Sequence, residues 1–200
     1  VKLDIVFAGV GGQGIVVLSD IFCEAAMLDG FDVTKAEIHG MAQRGGSVTA
    51  FARISEKVET PLIETGKVNI IIGFEILETT RALHMLTPDG TVIVNTKYLK
   101  PNNFSKNIKP KTQQELLSII KNAATNIYEV NASNMANQLG NNLTTNTILL
   151  GALSALHNMP IKRESFEKAI AAKLKEKYLQ INMQAFELGR QSVQNNVHKT

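Results

Sequence analysis

The sequence predicts an α/β fold: a mostly parallel, Rossmann-like three-layer sheet with a glycine-rich first βα turn, an antiparallel or loop-linked excursion between its second and third strands, and a helical C-terminal region. Three observations carry this. Residues 3–14, LDIVFAGVGGQG, read as a strand running into a glycine turn that opens a helix. β-Branched runs then alternate with apolar residues at helical spacing. Between the second and third strands, residues 39–46 (HGMAQRGG) leave no room for the dozen or more residues of a crossover helix.

The elements follow in order. Residues 15–28 carry apolar side chains at helical spacing and stop at Asp29-Gly30, a C-terminal signal. Residues 31–38 read as a second strand, which with the first strand and helix makes a right-handed βαβ unit whose strands run as a parallel pair. Residues 47–54, SVTAFARI, alternate as a third strand. Residues 68–74, VNIIIGF, suit a strand covered on both faces. A helix over 75–86, a Thr87-Pro88-Asp89-Gly90 turn and a strand over 91–95 come next. The polar, lysine-rich stretch 97–111 is expected to be a surface loop, followed by a helix over 113–124 and a short strand over 126–130. Helices are then predicted over 133–139, 142–157, 163–174 and 176–193, with Pro160 as punctuation and Asn142 as a helix cap. These helices are expected to pack on the sheet, and residues 194–200 to fray.

At 200 residues, 44% hydrophobic and 20% charged, the chain can bury one core, so residues 1–200 are expected to form a single domain. The formal charge of +3 is dispersed, with no basic run interleaved with aromatics, which argues against nucleic acid as a partner. The longest apolar runs are far too short to span a membrane, and with no leader-like segment the expected location is cytoplasmic. Cys23 is the only cysteine and lies in an apolar helical pattern, so it reads as a buried small hydrophobe. One thiol cannot hold an iron–sulfur cluster, and the four histidines show no ligand spacing, so no metal site is expected. His84 and His157 read as surface or core histidines, and Met135, Met159 and Met183 as core filler.

Two segments carry chemistry. Gly9, Gly11 and Gly14 have the G-x-G-x-x-G spacing, which frees backbone N–H groups for a diphosphate or lets a helix pack tightly on a strand. Both readings stay open from the motif alone. Residues 39–46 combine Gly40, Gly45 and Gly46 with His39, Gln43 and Arg44 on one short excursion. The guanidinium of Arg44 suits a carboxylate or phosphate, unless it pairs with a local carboxylate. Glu37, at the end of the second strand, stands where an acidic residue takes a ribose in dinucleotide folds, but the missing helix after it makes an ordinary strand-end charge the better reading.

GVGGQG after the first strand, HGMAQRGGSV after the second and LLGAL at residues 149–153 together resemble the gamma-type domain of the 2-oxoacid:ferredoxin oxidoreductases, its indolepyruvate branch in particular. The pyruvate and 2-oxoisovalerate branches remain alternatives. The resemblance implies a small subunit, inactive alone, of an enzyme that oxidatively decarboxylates a 2-oxoacid, passes electrons to ferredoxin and forms an acyl-coenzyme A. It implies thiamine diphosphate, Mg and [4Fe-4S] clusters on a large partner chain. Gly9, Gly11, Gly12, Gln13 and Gly14, with Gly45 and Gly46, would then line a coenzyme A pocket, while His39, Gln43 and Arg44 would approach the partner's active site. Self-association of the isolated chain stays open. Outside the resemblance stand a nicotinamide-binding dehydrogenase and a non-catalytic interaction domain.

Overall fold

The computed structural model describes residues 1–41, 45–58, 60–100 and 109–195. One sheet of six strands organises them: β1 (Lys2–Val10), β2 (Asp32–His39), β3 (Ser47–Ser55), β4 (Val68–Gly73), β5 (Leu86–Asn95) and β6 (Asn126–Val130), in the order β2-β3-β1-β4-β5-β6. Strands β1, β4, β5 and β6 are mutually parallel, while β3 runs antiparallel to both of its neighbours, β1 and β2. The first βαβ reading is therefore corrected in one respect. β1 and β2 do point the same way, but β3 lies between them, because the short connection after β2 returns the chain beside β1.

The helices are α1 (Ile15–Leu28), α2 (Ile76–Ala82), α3 (Gln113–Ala123), α4 (Ala132–Gln138), α5 (Thr145–Ser154), α6 (Arg163–Lys173) and α7 (Glu176–Gln194). They divide between the two faces of the sheet. Alternate residues of the central strands decide the division: Ile5 and Phe7 of β1 join a core with α1, α5, α6 and α7, whereas Val6 and Ala8 join a core with α2 and α3. The first core is threaded by Phe7, Phe22, Phe166 and Phe186, whose successive ring centroids lie 5.8, 6.4 and 6.1 Å apart. All four rings are buried, and each contributes about 1.5–3 kcal/mol by leaving water.

Helices α5 and α7 cross at two glycines. A Cβ on Gly151 would stand 2.0 Å from the Phe186 carbonyl oxygen, and one on Gly189 would stand 1.9 Å from that of Ile148. The helix backbones touch because neither residue has a side chain. At the far end of α1, Asp29 accepts from the Lys162 N–H at 2.6 Å and the Ser165 hydroxyl at 2.8 Å, capping α6 in place of a side chain of its own.

Local differences from the sequence reading have physical causes. The helix expected over 75–86 ends at Ala82 and closes with a tight turn, Leu83–Met85, because Leu86 is already pairing with Val68 in the sheet. The 87–90 turn therefore bulges within β5 rather than preceding it. The helix expected over 142–157 is a single tight turn, Asn142–Thr144, followed by α5, and it stops at Ser154. Its cap is Asn141, whose side chain accepts from the Leu143 N–H at 3.0 Å, not Asn142. Helix α3 opens with a reciprocal Thr112–Glu115 capping box. Gln194 closes α7, and the rest of the segment expected to fray lies almost wholly outside the described residues, as does most of the 97–111 loop.

Cys23 is buried, and burial pushes its thiol up to about 12. His84 and His157 are exposed, while Met135, Met159 and Met183 pack against the larger core. No helix among the described residues is long and apolar enough to cross a membrane.

Candidate functional site at the mouth of the parallel strands

Chain direction dictates where a crevice must open. Helix α1 leaves the carboxyl end of β1 toward one face, and α2 leaves the neighbouring β4 toward the other, so no described helix fills the space between the two strand ends. This is the position at which open α/β sheets bind ligands. A cavity of about 430 Å³ lies there, lined by Gly12, Gln13, Gly14 and Val17 from the glycine turn and α1, and by Phe74 and Lys97 beyond β4 and β5. Its remaining wall comes from Ser133, the 141–147 turn, Leu174, and Tyr178 and Asn182 of α7.

Gly14 begins α1 in the left-handed region, at φ 79°, which a side chain rarely tolerates. No side chain caps this helix and no acidic residue occupies its first turn, so its positive end stands unneutralised beside the cavity. Lys97 is exposed at the cavity edge and forms no ion pair with any described residue. An anion placed here meets a helix N-terminus and a free ammonium together.

The floor is braced from below. Gln13 folds back: its Oε1 accepts from the Val10 N–H at 2.8 Å and its Nε2 donates to the Phe74 carbonyl at 3.4 Å. Asn95 Nδ2 donates to the same carbonyl at 3.0 Å and to the Ser133 hydroxyl at 2.9 Å. Gly9 sits under this clasp, where a Cβ would meet Gln13 Oε1 at 2.5 Å and Phe74 Cβ at 2.7 Å. Thus Gly9 serves close packing, and Gln13 holds the turn's shape. Beside them, buried Glu75 accepts from the Leu77 N–H at 3.0 Å, from the Glu78 N–H and from the Leu99 N–H at 3.4 Å. Burial raises its pKa against those three donors.

The second glycine segment adjoins the first. Gly11 N–H donates to the Gly46 carbonyl at 2.9 Å, and the Gly40 N–H donates to that of Ser47 at 2.7 Å. His39, Gly11, Gly12 and Gly14 line a shallower hollow of about 360 Å³ on the outer side of the turn. His39 and Gly45 are exposed and Gly46 is half-buried. Gln43 and Arg44 lie outside the described residues. Sequence reasoning did not place Lys97, Asn146 and Asn182 at the site; they reach the cavity only through the fold.

Glu37 is engaged by Lys35 Nζ at 2.6 Å and His39 Nε2 at 3.0 Å, and the hydrogen bond from Lys35 leads the effects that hold its carboxyl below the usual range. It stands on β2, with β3 between it and β1, about 10 Å of sheet away from the glycine turn's strand. A ribose anchored on that turn is out of its reach.

The profile of the pyruvate ferredoxin/flavodoxin oxidoreductases matches residues 4–192. The chain belongs to that family. It is similar to the indolepyruvate oxidoreductase subunit IorB of Archaeoglobus fulgidus, 37% identical over 189 residues covering 94% of each chain. It is also similar to the common gamma subunit of the pyruvate/ketoisovalerate oxidoreductases of Pyrococcus abyssi, 33% identical over 192 residues, covering 92% of this chain and 96% of that one. Among solved structures, the gamma subunit of a keto/oxoacid ferredoxin oxidoreductase from Geobacter sulfurreducens superposes with a TM-score of 0.72 at 23% identity, covering 96% of this chain and 99% of that one. A 2-oxoglutarate:ferredoxin oxidoreductase from Magnetococcus marinus, solved with 2-oxoglutarate, coenzyme A and succinyl-CoA, contains the same fold: TM-score 0.74, 21% identity, 97% of this chain and 31% of that one. The relatives are subunits of oxidoreductases, and the mixed six-stranded sheet has the fold of an oxidoreductase gamma subunit.

Proposed function

We propose that this chain is the gamma-type small subunit of a 2-oxoacid:ferredoxin oxidoreductase whose substrate is indolepyruvate or a related aryl pyruvate, with residues 1–200 as one domain. Similarity to the indolepyruvate oxidoreductase IorB subunits, at 35–37% identity against 33% for the common gamma subunit, supports the aryl branch over the pyruvate and 2-oxoisovalerate branches. In this reading a large partner chain carries thiamine diphosphate with Mg, which would supply the decarboxylation chemistry, and [4Fe-4S] clusters, which would carry single electrons to ferredoxin. Among the described residues no three of His, Cys, Asp and Glu converge as a metal site.

The observation that carries this chain's own part is the cavity between the ends of β1 and β4, whose anion-attracting groups fit the diphosphate of coenzyme A. The N–H groups of the first turn of α1 would meet the phosphates, Gly12 and Gly14 would let them approach, and Lys97 would neutralise one of them. Gln13 would act through the shape of the turn. Gly45 and Gly46 would bring the 39–46 segment alongside, and His39, Gln43 and Arg44 would face the partner's active site, Arg44 toward an anionic group and His39 as a proton relay.

Titrating the chain with coenzyme A tests the pocket. Binding at about 100 times Kd stabilises the fold by about 2.7 kcal/mol, several degrees in Tm, and Lys97→Met should diminish that shift. The absence of any shift would leave the glycine turn as an interface. In the enzyme assembled with its large chain, Arg44→Ala should raise KM for the 2-oxoacid or for coenzyme A. Unchanged constants for both would remove the anion-binding role.

A further inference from the structure

Strand β2 forms an edge of the sheet, and among the described residues no backbone group pairs with its outward side, the Val58 N–H donating instead to the Asp32 carboxylate at 2.9 Å. The Gly40 N–H bonds inward to Ser47, while the Val33 N–H turns to the carboxylate of Asp32 at 3.0 Å instead of to β3. Even-numbered residues of β2 therefore bond to β3, and the N–H and C=O groups of Lys35 and Glu37 point away from the sheet. The side chains of β2 do not blunt this edge in the usual way. Lys35 lies against α1, bonded to Asp20 at 2.5 Å as well as to Glu37, and on the opposite face Ala36 and Ile38 line an apolar groove, Ile38 being 61% exposed.

We infer that this edge pairs with the same edge of a second copy of the chain, antiparallel about a two-fold axis through Ala36. The charge pattern selects the partner and the register. A two-fold axis perpendicular to the sheet keeps each face with itself, so only residues of equal parity can stand opposite one another. Centring on Lys35 opposes two lysines, and centring on Glu37 opposes two glutamates. Centring on Ala36 sets Lys35 of each copy against Glu37 of the other, where both N–H···O=C bonds are exchanged. Exposed Ile38 then lies across from Thr34, Val33 from His39, and Ala36 from its own equivalent in a close, non-hydrogen-bonded pair. The axis leaves the two 39–46 segments at opposite ends of the paired strands, so both remain open to large subunits. The inference is independent of the ligand assigned to the cavity.

Light scattering on the full chain across a concentration series, with and without charge reversal, decides the matter. Wild type should show a monomer–dimer equilibrium. Lys35→Glu or Glu37→Lys alone sets like charges across both symmetric pairs and should raise the dimer Kd about tenfold or more, whereas the double reversal should recover most of the loss. Because reversal also disturbs the Asp20 contact, a second readout uses cross-linking. Ala36→Cys should give an oxidised covalent dimer within minutes at concentrations where Asp32→Cys gives none, with buried Cys23 silent in both. A chain monomeric throughout the series, or a dimer that ignores charge reversal and does not cross-link at position 36, overturns the inference.

Discussion

The cavity between β1 and β4 and the groove over β2 and β3 are made by one sheet in opposite ways. The cavity is walled by turns and helix ends, whose backbone groups have no ladder to join, and it is finished with Lys97, Ser133 and the asparagines of the C-terminal helices. The groove, about 570 Å³, is walled by strand faces, by the 61–65 segment and by the end of α2 at Arg81 and Ala82, with Ala36, Ile38, Phe51 and Leu62 presenting apolar side chains that no described helix covers. Polar recognition here comes from where secondary structure ends, and apolar recognition from where one layer of a three-layer fold is missing. The first is suited to a charged small molecule and the second to a protein surface.

That contrast can be broken at its most rigid point. Gly189→Val should force α5 and α7 apart, costing about 3 kcal/mol or more and lowering Tm by roughly 10 °C, and it should abolish coenzyme A binding because both helices wall the cavity. If binding survived at a temperature where the variant is folded, the cavity would not depend on that crossing. Gly14→Ala should cost about 1–2 kcal/mol through its positive φ, measurable by denaturant unfolding. Glu75 sharpens the comparison on the polar side. Its folded pKa is raised, so the native state binds the proton more tightly than the unfolded chain, and stability should fall as pH rises from about 4.3 through the folded value. Glu75→Gln should flatten that part of the pH–Tm profile. The smallest effect belongs to the groove: Leu62→Ser, at a residue 76% exposed, should change the stability of the isolated chain by less than about 0.5 kcal/mol, as read by denaturant unfolding.

Much of the fold was legible because its signals are local. The apolar spacing and Asp29-Gly30 stop delimit α1 at Ile15–Leu28, as expected, and Asn126–Val130 is likewise the strand its residues predict. The short 39–46 connection correctly announced an antiparallel partner for β2. What it could not announce was where β3 would insert, since strand order is a long-range choice made by the packing of both faces. The Asp29 cap on α6 joins residues more than 130 apart and leaves no mark in either local sequence. At the site, both glycine segments were recognised and the structure joins them through Gly11 and Gly46. Lys97 and Asn182 escaped notice, and Asn146 read only as a possible helix cap, because nothing in the local sequence shows that the fold sets them beside the turn.

The cavity wall has a consequence in time as well as in space. Its last side chains, Tyr178 and Asn182, come from α7, and Asn182 is fixed there by the Thr147 hydroxyl at 2.6 Å and the Tyr178 carbonyl at 2.9 Å. During synthesis the glycine turn at residues 9–14 emerges first and α7 long afterwards. A ribosome-bound chain halted before Glu176 would display the turn without the wall that completes its pocket. On the proposed function, ligand capture would be reserved for chains whose C-terminal helices have already docked, and coenzyme A retention would report finished folding.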